Sequence, residues 1–149
     1  MKALPRILLV EDNKDDVELT VTALAQNKLA NAVDVVRDGV EALDYLLCRN
    51  DYAARNRKLP AVVLLDIKMP RMDGIEVLRH IRNDSRLKTV PVVMLTSSGM
   101  ETDIIKSYGL GANAYVVKPV GFTEFVTAVT HLGVFWALLN RTVEFESCK

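Results

Sequence analysis

The sequence predicts an α/β domain, a five-stranded parallel sheet wound in two directions with helices on both faces. Two observations point there. Five short apolar runs alternate with longer segments whose apolar residues recur at helical spacing. The first, third and fourth runs are apolar almost without alternation, as strands covered on both faces are. Right-handed crossovers then leave the doubly wound sheet as the natural topology.

The strands are expected at residues 6–10, 33–37, 61–65, 90–95 and 113–117. Val17, Val21 and Leu24 share one face of a first helix, and Leu43, Leu46 and Leu47 one face of a second. Val77, Leu78 and Ile81 mark a third helix, Ile104 and Ile105 a fourth, and a fifth begins near Phe122. The segment 49–60, RNDYAARNRKLP, is polar and long for a helix-to-strand connection, and a solvated surface loop is expected there.

A chain of 149 residues suits one domain, and no linker or repeat divides it. A single domain over 1–149 is expected, with its core at roughly residues 5–140 and a tail at 141–149. Nineteen acidic residues balance nineteen basic ones, so no global charge favours nucleic acid or a membrane surface. The apolar stretch near the N-terminus is too short for a signal peptide, and no uncharged run reaches the roughly 18 residues of a membrane span. Cys48 and Cys148 lack metal-ligand spacing and fit a reducing, cytoplasmic setting.

Function is written where the strands end. In VVLLDIKMPRMDG (62–74) an apolar run terminates on Asp66, although a carboxylate at the lip of a core is costly unless compensated. The first strand delivers Glu11 and Asp12, the fourth Thr96 and Ser97, and the fifth Lys118 followed by Pro119. In a parallel sheet all of these share one edge, where ligands bind. Three crowded carboxylates call for a cation, and Mg²⁺, which prefers oxygen ligands, suits Glu11, Asp12 and Asp66. An aspartate so placed can attack an electrophile and form an aspartyl phosphate, with Lys118 and the metal neutralising the phosphoryl oxygens and Thr96 hydrogen-bonding one of them. Each residue alone has an ordinary alternative. Acids after a first strand cap and charge helix starts, which is the role expected of Asp15 and Asp16. The coincidence of four strand ends is what favours a site.

The motifs LLVEDN (8–13), LLDIKMPRMDG (64–74), VVMLTSSG (92–99) and AYVVKP (114–119) resemble the receiver domain of two-component response regulators, over roughly residues 5–135. The resemblance implies a flavodoxin-like sheet of order 2-1-3-4-5. It makes Asp66 the phosphoacceptor, fed by a phosphohistidine on a sensor histidine kinase. Mg²⁺, with Mn²⁺ or Ca²⁺ as substitutes, would be held by Asp12 directly, Glu11 through water, Asp66, and the backbone carbonyl of Lys68. Thr96 becomes the switch hydroxyl, Lys118 the phosphoryl-binding lysine and Tyr115 the switch aromatic. The Lys118–Pro119 bond would be cis. The only chemistry expected is self-catalysed phosphorylation and dephosphorylation, which is signalling rather than substrate turnover.

The last helix is unusually apolar: 12 of the 18 residues at 122–139. Phe122, Phe125, Val129, Leu132, Trp136 and Leu139 suffice to pack on a sheet, while Ala128, Phe135 and Leu138 fall on an adjoining face. A homodimer through Ala128, Phe135, Trp136 and Leu138 is therefore expected. The long loop and the Phe-Trp end resemble small stand-alone regulators that serve bacterial phytochromes. No DNA-binding segment follows, so output is expected through a protein contact or onward phosphotransfer. Three rivals fit less well. A haloacid-dehalogenase-type enzyme needs a second acid where Lys68 stands, a flavin binder would be repelled by Glu11 and Asp12, and no P-loop motif occurs.

Overall fold

The computed structural model describes residues 6–25, 33–56, 58–97 and 109–131. The elements follow in the order β1 (Ile7–Val10), α1 (Lys14–Ala25), β2 (Val33–Val36), α2 (Gly39–Leu47), a 3₁₀ turn (Asn50–Tyr52), β3 (Val62–Asp66), α3 (Gly74–Asn83), β4 (Val92–Thr96), β5 (Ala114–Val117) and α4 (Phe122–His131). The helix expected around Ile104 and Ile105 lies outside the described residues. All five strands pair in parallel, in the order β2-β1-β3-β4-β5, as the resemblance implied.

The uninterrupted apolar runs of β1, β3 and β4 are buried along their whole length because both faces are covered. On one face, Leu8, Val10, Val63, Leu65 and Met94 meet Leu43 and Leu46 of α2 and Leu78 and Ile81 of α3. On the other, Ile7, Leu9, Leu64 and Val93 meet Leu24 of α1 and Phe125 and Ala128 of α4. Each such leucine or isoleucine contributes about 1.5–3 kcal/mol by leaving water. β5, at an edge, alternates instead, with Ala114 and Val116 inward and Tyr115 and Val117 outward.

Two strands end one residue later than the sequence pattern predicts. Asp66 and Thr96 are themselves strand residues, because Asp66 pairs with Leu95 and Thr96 with Val117. The ladder continues past both, with Ile67 N–H donating to Leu95 O at 3.1 Å. β4 also begins at Val92 rather than at 90. Pro91 cannot donate to a ladder, and its carbonyl accepts from Val63 N–H at 2.9 Å instead.

Local chemistry sets the helix starts. Asp38 and Asp73 cap α2 and α3 by accepting from Glu41 N–H and Glu76 N–H. Asn13, not Asp15 or Asp16, caps α1, its Oδ1 accepting from Asp16 N–H at 3.0 Å. Gly74 opens α3 against the end of β3, where a Cβ would stand 2.1 Å from the Asp66 carbonyl oxygen.

Two expectations need correction. The segment 49–60 is not merely a solvated loop. Tyr52 O–H donates to Glu41 Oε2 at 2.5 Å, Arg55 Nε donates to the Tyr45 carbonyl at 2.9 Å, and the Arg55 guanidinium lies 4.0 Å over the Tyr45 ring. Ala128 is buried within the chain's own core beside Phe125, one helical turn away, and so does not belong to an adjoining outer face. Phe135, Trp136 and Leu138 lie outside the described residues.

Candidate functional site

Because β1, β3, β4 and β5 run the same way, their C-terminal ends open onto one edge of the sheet. The backbone carries the arrangement just beyond the strands. Glu11 N–H donates to Val36 O at 3.0 Å and Lys118 N–H to Thr96 O at 2.7 Å. The buried polar side chains among the described residues, tyrosine aside, are Glu11, Thr20, Asp66 and Thr96, and three of those four lie at this edge. Buried polar groups are retained where something compensates them, which singles the edge out from the rest of the core.

Glu11, Asp12 and Asp66 each offer a carboxylate oxygen within 4.8 Å of the others. Lys118 Nζ sits against them, 3.1 Å from Glu11 Oε1 and 3.3 Å from Asp66 Oδ1. One ammonium does not balance this cluster. Burial, with the Asp66 charge adding to it, pushes the Glu11 carboxyl up to about 7 despite the hydrogen bond from Lys118. Burial also raises Asp66, opposed by a hydrogen bond with Glu11 and by Lys118. For Lys118, burial alone would lower the pKa, but hydrogen bonds to Asp16 and Glu11 and the Asp66 charge hold it above its usual 10.5. The site is thus short of positive charge. The donors are hard oxygens, with neither imidazole nor thiolate in the cluster, which fits Mg²⁺ or a similar hard divalent ion.

The sequence-predicted residues converge unevenly. Glu11, Asp12, Asp66, Lys68 and Lys118 line one cleft together with Ser97. Thr96 is buried at the end of β4, across the ladder from Val117, the residue that precedes Lys118. The Lys118–Pro119 bond is cis. Tyr115 lies farther back on β5, paired with Met94, its side chain 39 % exposed. His80 is exposed on α3, away from the cleft. One residue was not anticipated here. Asp16, expected as a helix-start charge, places Oδ2 2.8 Å from Lys118 Nζ, nearer than either Glu11 or Asp66. Its signal was available in principle, since the first turn of a helix that follows β1 must pass this edge.

A doubly wound parallel sheet with an acidic cluster and a lysine at its C-terminal edge defines the class of protein to compare it with. The family described as "Response regulator receiver domain" matches residues 7–130. The response regulator Rcp1 of Synechocystis sp. is 37% identical over 130 residues, 87% of this chain and 87% of that protein. The Mn²⁺-bound form of Rcp1 superposes with a TM-score of 0.71 at 34% identity, covering 89% of this chain and 95% of that one. The bacteriophytochrome response regulator AtBRR is 57% identical with a TM-score of 0.85, covering 93% of this chain and 99% of that one. The phosphorylated cyanobacterial phytochrome response regulator RcpA is 42% identical with a TM-score of 0.74, covering 90% and 94%. The chain belongs to the receiver domain family of response regulators, signalling proteins of two-component systems.

Proposed function

We propose that the chain is a receiver of the phytochrome-associated kind, which takes a phosphoryl group onto Asp66 from a phosphohistidine of a sensor kinase. The observation that carries this is Lys118 Nζ at 3.3 Å from Asp66 Oδ1, inside a cluster of three carboxylates at the sheet edge. An Asp66 oxygen attacks phosphorus, the phosphorus–nitrogen bond of the donor breaks, and the imidazole nitrogen keeps the electron pair. Lys118 takes up negative charge on a phosphoryl oxygen, and the Thr96 hydroxyl donates to another. Glu11, Asp12, Asp66 and the Lys68 carbonyl would hold Mg²⁺, or Mn²⁺ or Ca²⁺ in its place. When bound, the cation supplies further charge neutralisation at the phosphoryl group. The structures of Rcp1 in a Mn²⁺-bound form and of RcpA in a phosphorylated form support both parts.

Thr96, drawn toward the new dianion, vacates space beside β5. Tyr115, now exposed on that strand, would rotate inward and alter the surface that a partner reads. A single domain acting in the cytoplasm is proposed, its chemistry confined to the Asp66 adduct. A homodimer through the C-terminal apolar run, at Phe135, Trp136 and Leu138, is supported by the sequence pattern alone.

Acetyl phosphate with Mg²⁺ tests the proposal by intact mass. One phosphoryl group should add to the parent and none to Asp66→Ala. Adduct formation by Asp66→Ala, or steady turnover of assorted phosphomonoesters, refutes it.

A further inference from the structure

The three acids that Lys118 contacts are not equivalent. Its Nζ lies 2.8 Å from Asp16, 3.1 Å from Glu11 and 3.3 Å from Asp66. Two of its three donors are hydrogen-bonded, to Asp16 and Glu11, while Asp66 faces the ammonium as an ion pair. Drawing the ammonium onto a phosphoryl group at Asp66 stretches those two hydrogen bonds. The Glu11 and Asp66 side chains are 1% and 5% exposed, so neither can exchange the ammonium for bulk water. The Asp16 side chain is 27% exposed and can exchange the ammonium for water. The Asp16 backbone N–H is bound to Asn13 Oδ1 at 3.0 Å in the first turn of α1.

We propose that Asp16 is a positioning residue that holds Lys118 partly away from Asp66, and that the incoming phosphoryl group must break this ion pair. Asp16 then acts as a brake on phosphoryl acceptance, set by a side chain on α1 rather than by the acceptor itself. The proposal rests on Asp66 being the acceptor.

The test compares initial rates of adduct formation from acetyl phosphate and Mg²⁺ for the parent, Asp16→Asn, Asp16→Glu and Asp15→Asn. Asp15 is an exposed acid one residue away, and its substitution removes the same charge without touching the lysine contact. Asp16→Asn should react about threefold faster or more, the size a half-exposed ion pair carries. Asp15→Asn and Asp16→Glu should stay within about twofold of the parent. An Asp16→Asn rate equal to that of Asp15→Asn, or slower than the parent, overturns the proposal. A second measurement needs no variant. In a crystal of the parent's beryllofluoride adduct with Mg²⁺, Lys118 Nζ should stand beyond roughly 4 Å from Asp16 Oδ2. Retention of the pair there overturns the proposal while leaving Asp66 as acceptor intact. Failure of the parent to form any adduct removes the acceptor, and the brake with it.

Discussion

Two polar clusters flank the same sheet, and they are built on opposite principles. At the C-terminal edge, four acids (Glu11, Asp12, Asp16 and Asp66) gather about the Lys118 ammonium. Near the other end of β1 and β2, Arg6 donates twice to Asp34, and the Tyr45 hydroxyl donates to the same carboxylate. Tyr52 extends this second cluster to Glu41 and Arg55 covers Tyr45, leaving only Arg55 Nη2 buried without a partner. The carboxyl groups respond in opposite directions. Burial would raise Asp34, but hydrogen bonds from Arg6 and Tyr45 outweigh it and hold the group below its ordinary 3.8. Glu11 and Asp66 are both raised. A cluster whose carboxylate is matched by a guanidinium stabilises the fold, whereas one with more acid than base is held at a cost that a bound cation would relieve.

The sharpest break in that comparison is chemical. Asp66→Asn should abolish the phosphoryl adduct by mass yet raise the melting temperature in EDTA, since it removes a buried charge from a crowded set. Asp34→Ala should do the reverse, keeping the adduct while losing about 1–3 kcal/mol in urea unfolding through its orphaned partners. Saturating Mg²⁺ discriminates between the clusters next. At a hundredfold excess over Kd it should stabilise the parent by about 2.7 kcal/mol, and Asp12→Asn far less at the same concentration, by differential scanning calorimetry.

The two clusters also part in their pH dependence. Glu11 binds its proton more tightly folded than unfolded, so its ionisation opposes folding. In EDTA, stability should fall as pH rises from about 4.5 to about 7 and level off above, and Glu11→Gln should flatten that slope. Asp34 titrates the other way. Its contribution is complete above the ordinary carboxylate range and disappears as pH falls below 3.8 through its lowered folded value. Thermal melts across the range separate the two, and equal slopes in Glu11→Gln and the parent would contradict the assignment.

Much of the candidate site was legible because strand ends are legible. An unbroken apolar run fixes a buried parallel strand, and the next few residues must emerge at the ligand edge, so Glu11, Asp66, Thr96 and Lys118 could be named from position alone. Asp16 is the first-turn acid it was expected to be, but nothing local in the sequence distinguishes one that also meets a lysine 102 residues away. The segment 49–60 was misjudged for a related reason. Its polarity reads as solvation, although Tyr52 and Arg55 use their polar tips to bind the first and last turns of α2. Ala128 failed on helical phase, which a broad apolar helix does not fix.

The sequence by itself determined the alternation of strand and helix, because this follows from side-chain periodicity. It also determined which chemistry reaches the strand ends. Only the tertiary structure decided how that chemistry is shared. Which acids a single lysine touches, and at what distance, depends on the packing of α1 against the turn after β5, and sequence spacing carries no measure of that separation.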